Sequence, residues 1–62
     1  MRALARLKEH RERRTLTQEE LAKLSGVSRP TIARLETTDT RATPTTTRKL
    51  ARALKAKPED LA

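Results

Sequence analysis

Sixty-two residues, with 15 Lys plus Arg against 8 Asp plus Glu, one Gly, no Cys and no Phe, Trp or Tyr, allow a single small domain over 1–62. A chain this short buries only roughly 60% of its unfolded surface, too little to enclose a roomy pocket; with no thiol and one histidine, His10, neither an enzyme, a metal site nor a cofactor is expected. No apolar run is long enough to span a membrane, and Glu9 and Glu12 speak against a transit peptide, so a cytoplasmic chain is expected.

Leu and Ala dominate the apolar set, and the β-branched aliphatics are limited to Val27 and Ile32, so the fold class reads as all-α. Leu4, Leu7 and Arg11 at i, i+3, i+7 predict a first helix over residues 2–14. Thr17-Gln18-Glu19-Glu20 has the form of a capping box and starts a second helix at Gln18, with Leu21, Ala22 and Leu24 as its apolar face. That helix stops at Ser25, where Gly26 takes the left-handed conformation. Ser28 caps a third helix, with Arg29 and Pro30 in its first turn. Because Pro30 has no N–H, the Ser28 hydroxyl must serve Thr31, while Ile32 and Leu35 face the second helix. Residues 37–43 read as a connecting loop. A fourth helix begins at Thr43-Pro44 or, preferentially, with Thr45 as cap, and buries Leu50, Ala51 and Leu54. Lys57-Pro58-Glu59-Asp60-Leu61 opens a short fifth helix.

The net charge of +7 points to a polyanionic partner. Single strands and RNA loops are gripped by stacking on aromatics, which this chain lacks, so double-stranded DNA is the expected partner. The basic residues favour the first helix, the third helix and the loop after it, whereas the second helix sets Glu19 and Glu20 against Lys23. The second and third helices, joined by a short turn holding the glycine, form a helix-turn-helix at about residues 17–36. Counted from Gln18, Ala22 is fifth, Gly26 ninth, Val27 tenth, Ile32 fifteenth and Leu35 eighteenth. A small residue at the helix crossing, a residue free to take positive φ and three aliphatics fix the interhelical angle. Glu19 and Glu20 serve the helix start and are not an acid–base pair.

The stretch LTQEELAKLSGVSRPTIARLE resembles the phage repressor and Cro family, the xenobiotic-response-element type of helix-turn-helix. The likeness extends over about residues 2–62 through Arg11, Glu36, Leu50-Ala51-Arg52-Ala53-Leu54 and Pro58-Glu59-Asp60-Leu61. It implies a compact five-helix lambda-repressor-like DNA-binding domain whose recognition helix, 28–36, enters the major groove of a palindromic operator as one half of a homodimer. Carried over residue by residue, Arg29, Pro30 and Arg34 face base edges, with Arg34 the leading candidate for a bidentate guanine contact. Ser28 and Thr31 reach a base or a phosphate. Gln18, Arg41, Thr45, Thr46, Thr47 and Arg48 reach phosphates, and Arg11 and Glu36 form a structural salt bridge.

Where the family carries glycine after its third and fourth helices, this chain has Thr38 or Asp39 and Lys55, each costing about 1 kcal/mol if the backbone stays left-handed. Ala56 replaces a larger aliphatic. Dimerisation is expected through Leu54 to Leu61, a patch small enough to make the dimer weak. The resulting expectation is a bacterial, archaeal or phage-encoded transcriptional regulator, associated with the nucleoid and repressing by operator occupancy. The alternative is an antitoxin that binds a toxin protein and autoregulates its operon; a non-specific architectural DNA binder is a third reading.

Overall fold

A computed structural model of the chain describes residues 2–37 and 41–62. Among them lie four α-helices, α1 (Leu7–Arg13), α2 (Gln18–Ser25), α3 (Arg29–Thr37) and α4 (Pro44–Ala53), followed by a 3-10 turn at Pro58–Leu61. Two short extended segments, β1 (Arg2–Ala3) and β2 (Arg41–Ala42), pair antiparallel with Arg2 opposite Ala42 and Ala3 opposite Arg41. No helix among the described residues is long and apolar enough to cross a membrane.

The mostly helical architecture agrees with the all-α expectation, but the expected short fifth helix takes the form of a 3-10 turn and the first helix is shorter than expected. Residues 2–3 are taken up by the β pairing, so α1 begins at Leu7 instead of within residues 2–14. Leu4 and Leu7 are nonetheless both buried, because Leu7 N–H donates to the Leu4 carbonyl at 3.1 Å and the intervening turn keeps them on one side. Arg6 N–H donates to the Leu61 carbonyl at 2.9 Å, tying this segment to the 3-10 turn. Within that turn, Lys57 N–H donates to Asp60 Oδ2 at 3.1 Å and Asp60 N–H to the Lys57 carbonyl at 2.9 Å.

The sequence reading of α2 is accurate at both ends. Thr17 Oγ1 accepts from Glu20 N–H at 3.0 Å, the Glu20 carboxylate accepts from Thr17 N–H at 2.8 Å, and Gly26 leaves the helix at φ 76°. Its apolar face needs correction. Gln18, Leu21, Ala22 and Ser25, spaced i, i+3, i+4, i+7, turn inward, leaving Leu24 on the flank and 62% exposed. At α4 the cap is Thr43, whose Oγ1 accepts from Thr46 N–H at 3.2 Å, and not the preferred Thr45. Pro44 at the first helical position brings a φ already suited to a helix and lacks only a donor that the first turn leaves unpaired.

The core is aliphatic throughout: Leu4, Leu7, Leu21, Ile32, Leu35, Leu50, Leu54 and Leu61 are buried together, with Val27, Ala42 and Ala51 between them. Each large aliphatic withdrawn from water contributes about 1.5–3 kcal/mol, an upper estimate before chain entropy is counted. Leu54 and Leu61 lie in this core, which removes both from the surface expected to form a dimer. Lys55 keeps the left-handed backbone at φ 53°, and Ala56 is half-buried against the core. The matching expectation for Thr38 or Asp39 lies outside the described residues.

Candidate nucleic-acid interface

The start of α2 is held by side chains from three elements. The Arg11 guanidinium donates to Glu36 at both ends of its fork, Nε to Oε2 at 2.7 Å and Nη2 to Oε1 at 3.1 Å. Its remaining nitrogen, Nη1, donates to the Leu16 carbonyl at 2.7 Å. Gln18 Nε2 donates to Glu36 Oε1 at 3.0 Å, so the carboxylate binds α1 and the first residue of α2 to the end of α3. Glu36's side chain is 1% exposed and Arg11's 11%. The hydrogen bond to Glu36 raises the Arg11 pKa above its already high ordinary value, keeping the guanidinium charged. The expected Arg11–Glu36 bridge is therefore present, and it positions Gln18 as well.

A shallow notch lined by Arg11, Thr17, Gln18, Glu19 and Arg29 opens beside this cluster. It places the first turn of α2 next to Arg29, the first residue of α3, with Glu19 also on its lining. On α3, Ile32 and Leu35 are buried while Arg29, Pro30 and Arg34 are exposed; Pro30 and Arg34, four residues apart, share a face. Ser28 and Thr31 are joined hydroxyl to hydroxyl at 2.8 Å, a side-chain bond and not the expected cap on the Thr31 N–H.

The second group of expected phosphate contacts separates by environment. Arg41, Thr45 and Arg48 are exposed, and Thr45 and Arg48 lie on one face of α4. Thr46 is half-buried and its hydroxyl accepts from that of Thr43 at 3.1 Å. Thr47 is 3% exposed and donates its hydroxyl to the Thr43 carbonyl at 2.9 Å. It heads the inward stripe Thr47, Leu50, Ala51, Leu54, so its hydroxyl does not face the surface expected to meet phosphate.

A helix-turn-helix family model matches residues 7–61, nearly the whole chain. The chain belongs to the Cro/C1-type helix-turn-helix family. No curated protein and no solved structure matches it. Membership makes the chain a DNA-binding transcriptional regulator. In a Cro/C1-type domain, the clustering of Gln18, Arg29 and the Arg11–Glu36 pair supplies a fixed base for α3. Two of its bonds escaped sequence reasoning: Gln18 to Glu36 and Arg11 to the Leu16 carbonyl. A glutamine opening a helix carries no local sign that its amide will bond a carboxylate 18 residues away.

Proposed function

We propose that the chain represses transcription by occupying a palindromic operator as a homodimer, with α3 in the major groove. Arg34 and Arg29 read base edges, with Pro30 offering an apolar contact and Ser28 and Thr31 adding polar contacts. Gln18, Arg41, Thr45, Thr46 and Arg48 bind phosphate. The observation that carries this reading is the Arg11–Glu36–Gln18 cluster, which fixes the first turn of α2 beside the base-facing helix. With Leu54 and Leu61 in the core, the pairing surface reduces to the outward residues around Lys55, Lys57 and Glu59, and the dimer is completed on DNA.

In-vitro selection of bound duplexes should enrich an inverted repeat with half-sites about 34 Å apart; enrichment of nothing would sink the proposal. On the selected site, Arg34→Ala should cost about 1–3 kcal/mol and relax preference at one base pair. Arg48→Ala should weaken binding to every sequence and flatten a log-affinity slope against log salt of roughly −5 to −7, the value for a dimer engaging about 3 or 4 phosphates per subunit.

A further inference from the structure

A groove of about 610 Å³ runs between the end of α2 and the outer face of α4. Leu24 and Ala53 form its apolar part; Arg48, Lys49 and Arg52 line it with positive charge. A single exposed leucine is unremarkable on a protein surface, but this one lies in a concavity beside three cations. None of the three side chains has a hydrogen-bond or ion-pair partner among the described residues. Thr45, Arg48, Lys49 and Arg52 follow the i, i+3, i+4, i+7 spacing, so α4 has a second stripe besides the one it buries. Arg48 and Arg52 sit one turn apart, where like charges oppose helix formation until an anion intervenes.

We propose that this groove docks an acidic amphipathic helix of a partner protein, with Leu24 receiving its apolar anchor and Arg48, Lys49 and Arg52 its carboxylates. A second copy of this chain fits poorly, because a two-fold contact would set the same three cations against themselves. DNA fits poorly as well. Leu24 offers nothing to a phosphodiester, and of the groove's lining only Thr45 and Arg48 belong to the expected phosphate contacts, Arg52 lying a further turn, roughly 6 Å, along the helix beyond Arg48. The proposal goes beyond operator binding, since Leu24, Lys49 and Arg52 have no part in it.

The test uses the full chain, labelled with ¹⁵N, and two designed fluorescent peptides of equal negative charge. One peptide is helical and amphipathic, with leucines at i, i+3 and i+7 among glutamates; the other replaces those leucines with serine. The amphipathic peptide should bind and shift the amide resonances of Leu24, Ser25 and Ala53. Leu24→Ala and Arg52→Ala should each weaken it about tenfold, with the melting temperature of both variants close to that of the wild type and their duplex affinity within about twofold of it. The two substitutions act independently, so a folding defect in one leaves the other decisive. Failure of the amphipathic peptide to bind, equal affinity for the serine peptide, or shifts confined to α3 would overturn the proposal. So would a loss of duplex affinity in Arg52→Ala as large as that in Arg48→Ala, which would assign the groove to DNA.

Discussion

Among the described residues three helices are left through a left-handed residue, and one of these three is glycine: Thr15 at φ 57° after α1, Gly26 at φ 76° after α2 and Lys55 at φ 53° after α4. The two kinds of exit are bonded differently. After α1, Leu16 N–H donates to the Arg11 carbonyl at 3.2 Å and Thr15 N–H to Glu12 at 2.9 Å; after α4, Ala56 N–H donates to Ala51 at 2.9 Å and Lys55 N–H to Arg52 at 3.2 Å. Both are double-bonded Schellman turns. After α2 there is one such bond, Gly26 N–H to the Ala22 carbonyl at 2.9 Å, while Val27 N–H turns to the Ser25 hydroxyl at 3.1 Å. A left-handed L-residue costs roughly 1–2 kcal/mol, which two satisfied carbonyls offset better than one. The outer turns are thus held by bonds, and the turn inside the helix-turn-helix relies on a residue without a side chain.

Arg11 braces the α1 exit twice, once through its backbone and once through its side chain. Arg11 accepts Leu16 N–H with its carbonyl and donates to the Leu16 carbonyl with its guanidinium. Arg11→Ala should cost about 3 kcal/mol in urea unfolding, because it leaves the buried Glu36 carboxylate with Gln18 in place of a cation. A loss under about 1 kcal/mol would reduce the bridge to a surface ornament. The paired change Arg11→Met with Glu36→Leu should recover much of the loss, since it strands no charge.

The turns themselves give the next effect. A Cβ at Gly26 would meet nothing within 4 Å, so Gly26→Ala isolates the backbone cost and should destabilise by about 1 kcal/mol. Thr15→Gly and Lys55→Gly should go the other way, by up to about 1 kcal/mol, after the greater freedom of glycine in the unfolded chain is subtracted. Thr15 should gain more, because a β-branched residue is especially strained at positive φ. Thermal melts of the three variants decide it: a neutral Gly26→Ala together with a destabilising Lys55→Gly would reverse the distinction between the two kinds of exit.

These turns also mark how far the sequence could be read. The capping box, the exit at Gly26 and the buried Leu21, Ile32 and Leu35 follow from local pattern, and they were legible together with the Arg11–Glu36 pair that the family resemblance implied. Thr15 was not, since nothing about a threonine announces a left-handed backbone; its conformation follows from bonds that form only once α1 ends at Arg13. The pairing of Arg2–Ala3 with Arg41–Ala42 joins segments some forty residues apart, and neither has a strand-like pattern of its own. Leu24 was misplaced because hydrophobicity alone cannot tell which of two adjacent stripes a short helix buries, and Ser25 faces inward in its stead. At the interface, residue type identified the exposed arginines but could not separate Thr45 from Thr47, which differ only in the side of α4 they occupy.

The smallest expected effect lies where the α1 exit hands the chain to α2. Glu20 accepts from Thr17 N–H, and that bond, then the one with the Thr17 side chain, holds its carboxyl below the ordinary value of 4.5. A carboxyl depressed in the folded state contributes stability that is present above its unfolded pKa and disappears as pH falls through the folded one. Acidification below about pH 4.5 should therefore loosen the start of α2 along with any other carboxylate effects. Glu20→Gln keeps the accepting oxygen of the capping box but no longer titrates. Its urea midpoint near neutral pH should stay close to that of the wild type, while its further loss between about pH 5 and pH 3 should be smaller. Because the remaining carboxylates are common to both proteins, the difference between the two acid limbs isolates Glu20. Superimposable limbs would show that the helix start takes its stability from the Thr17 hydroxyl alone.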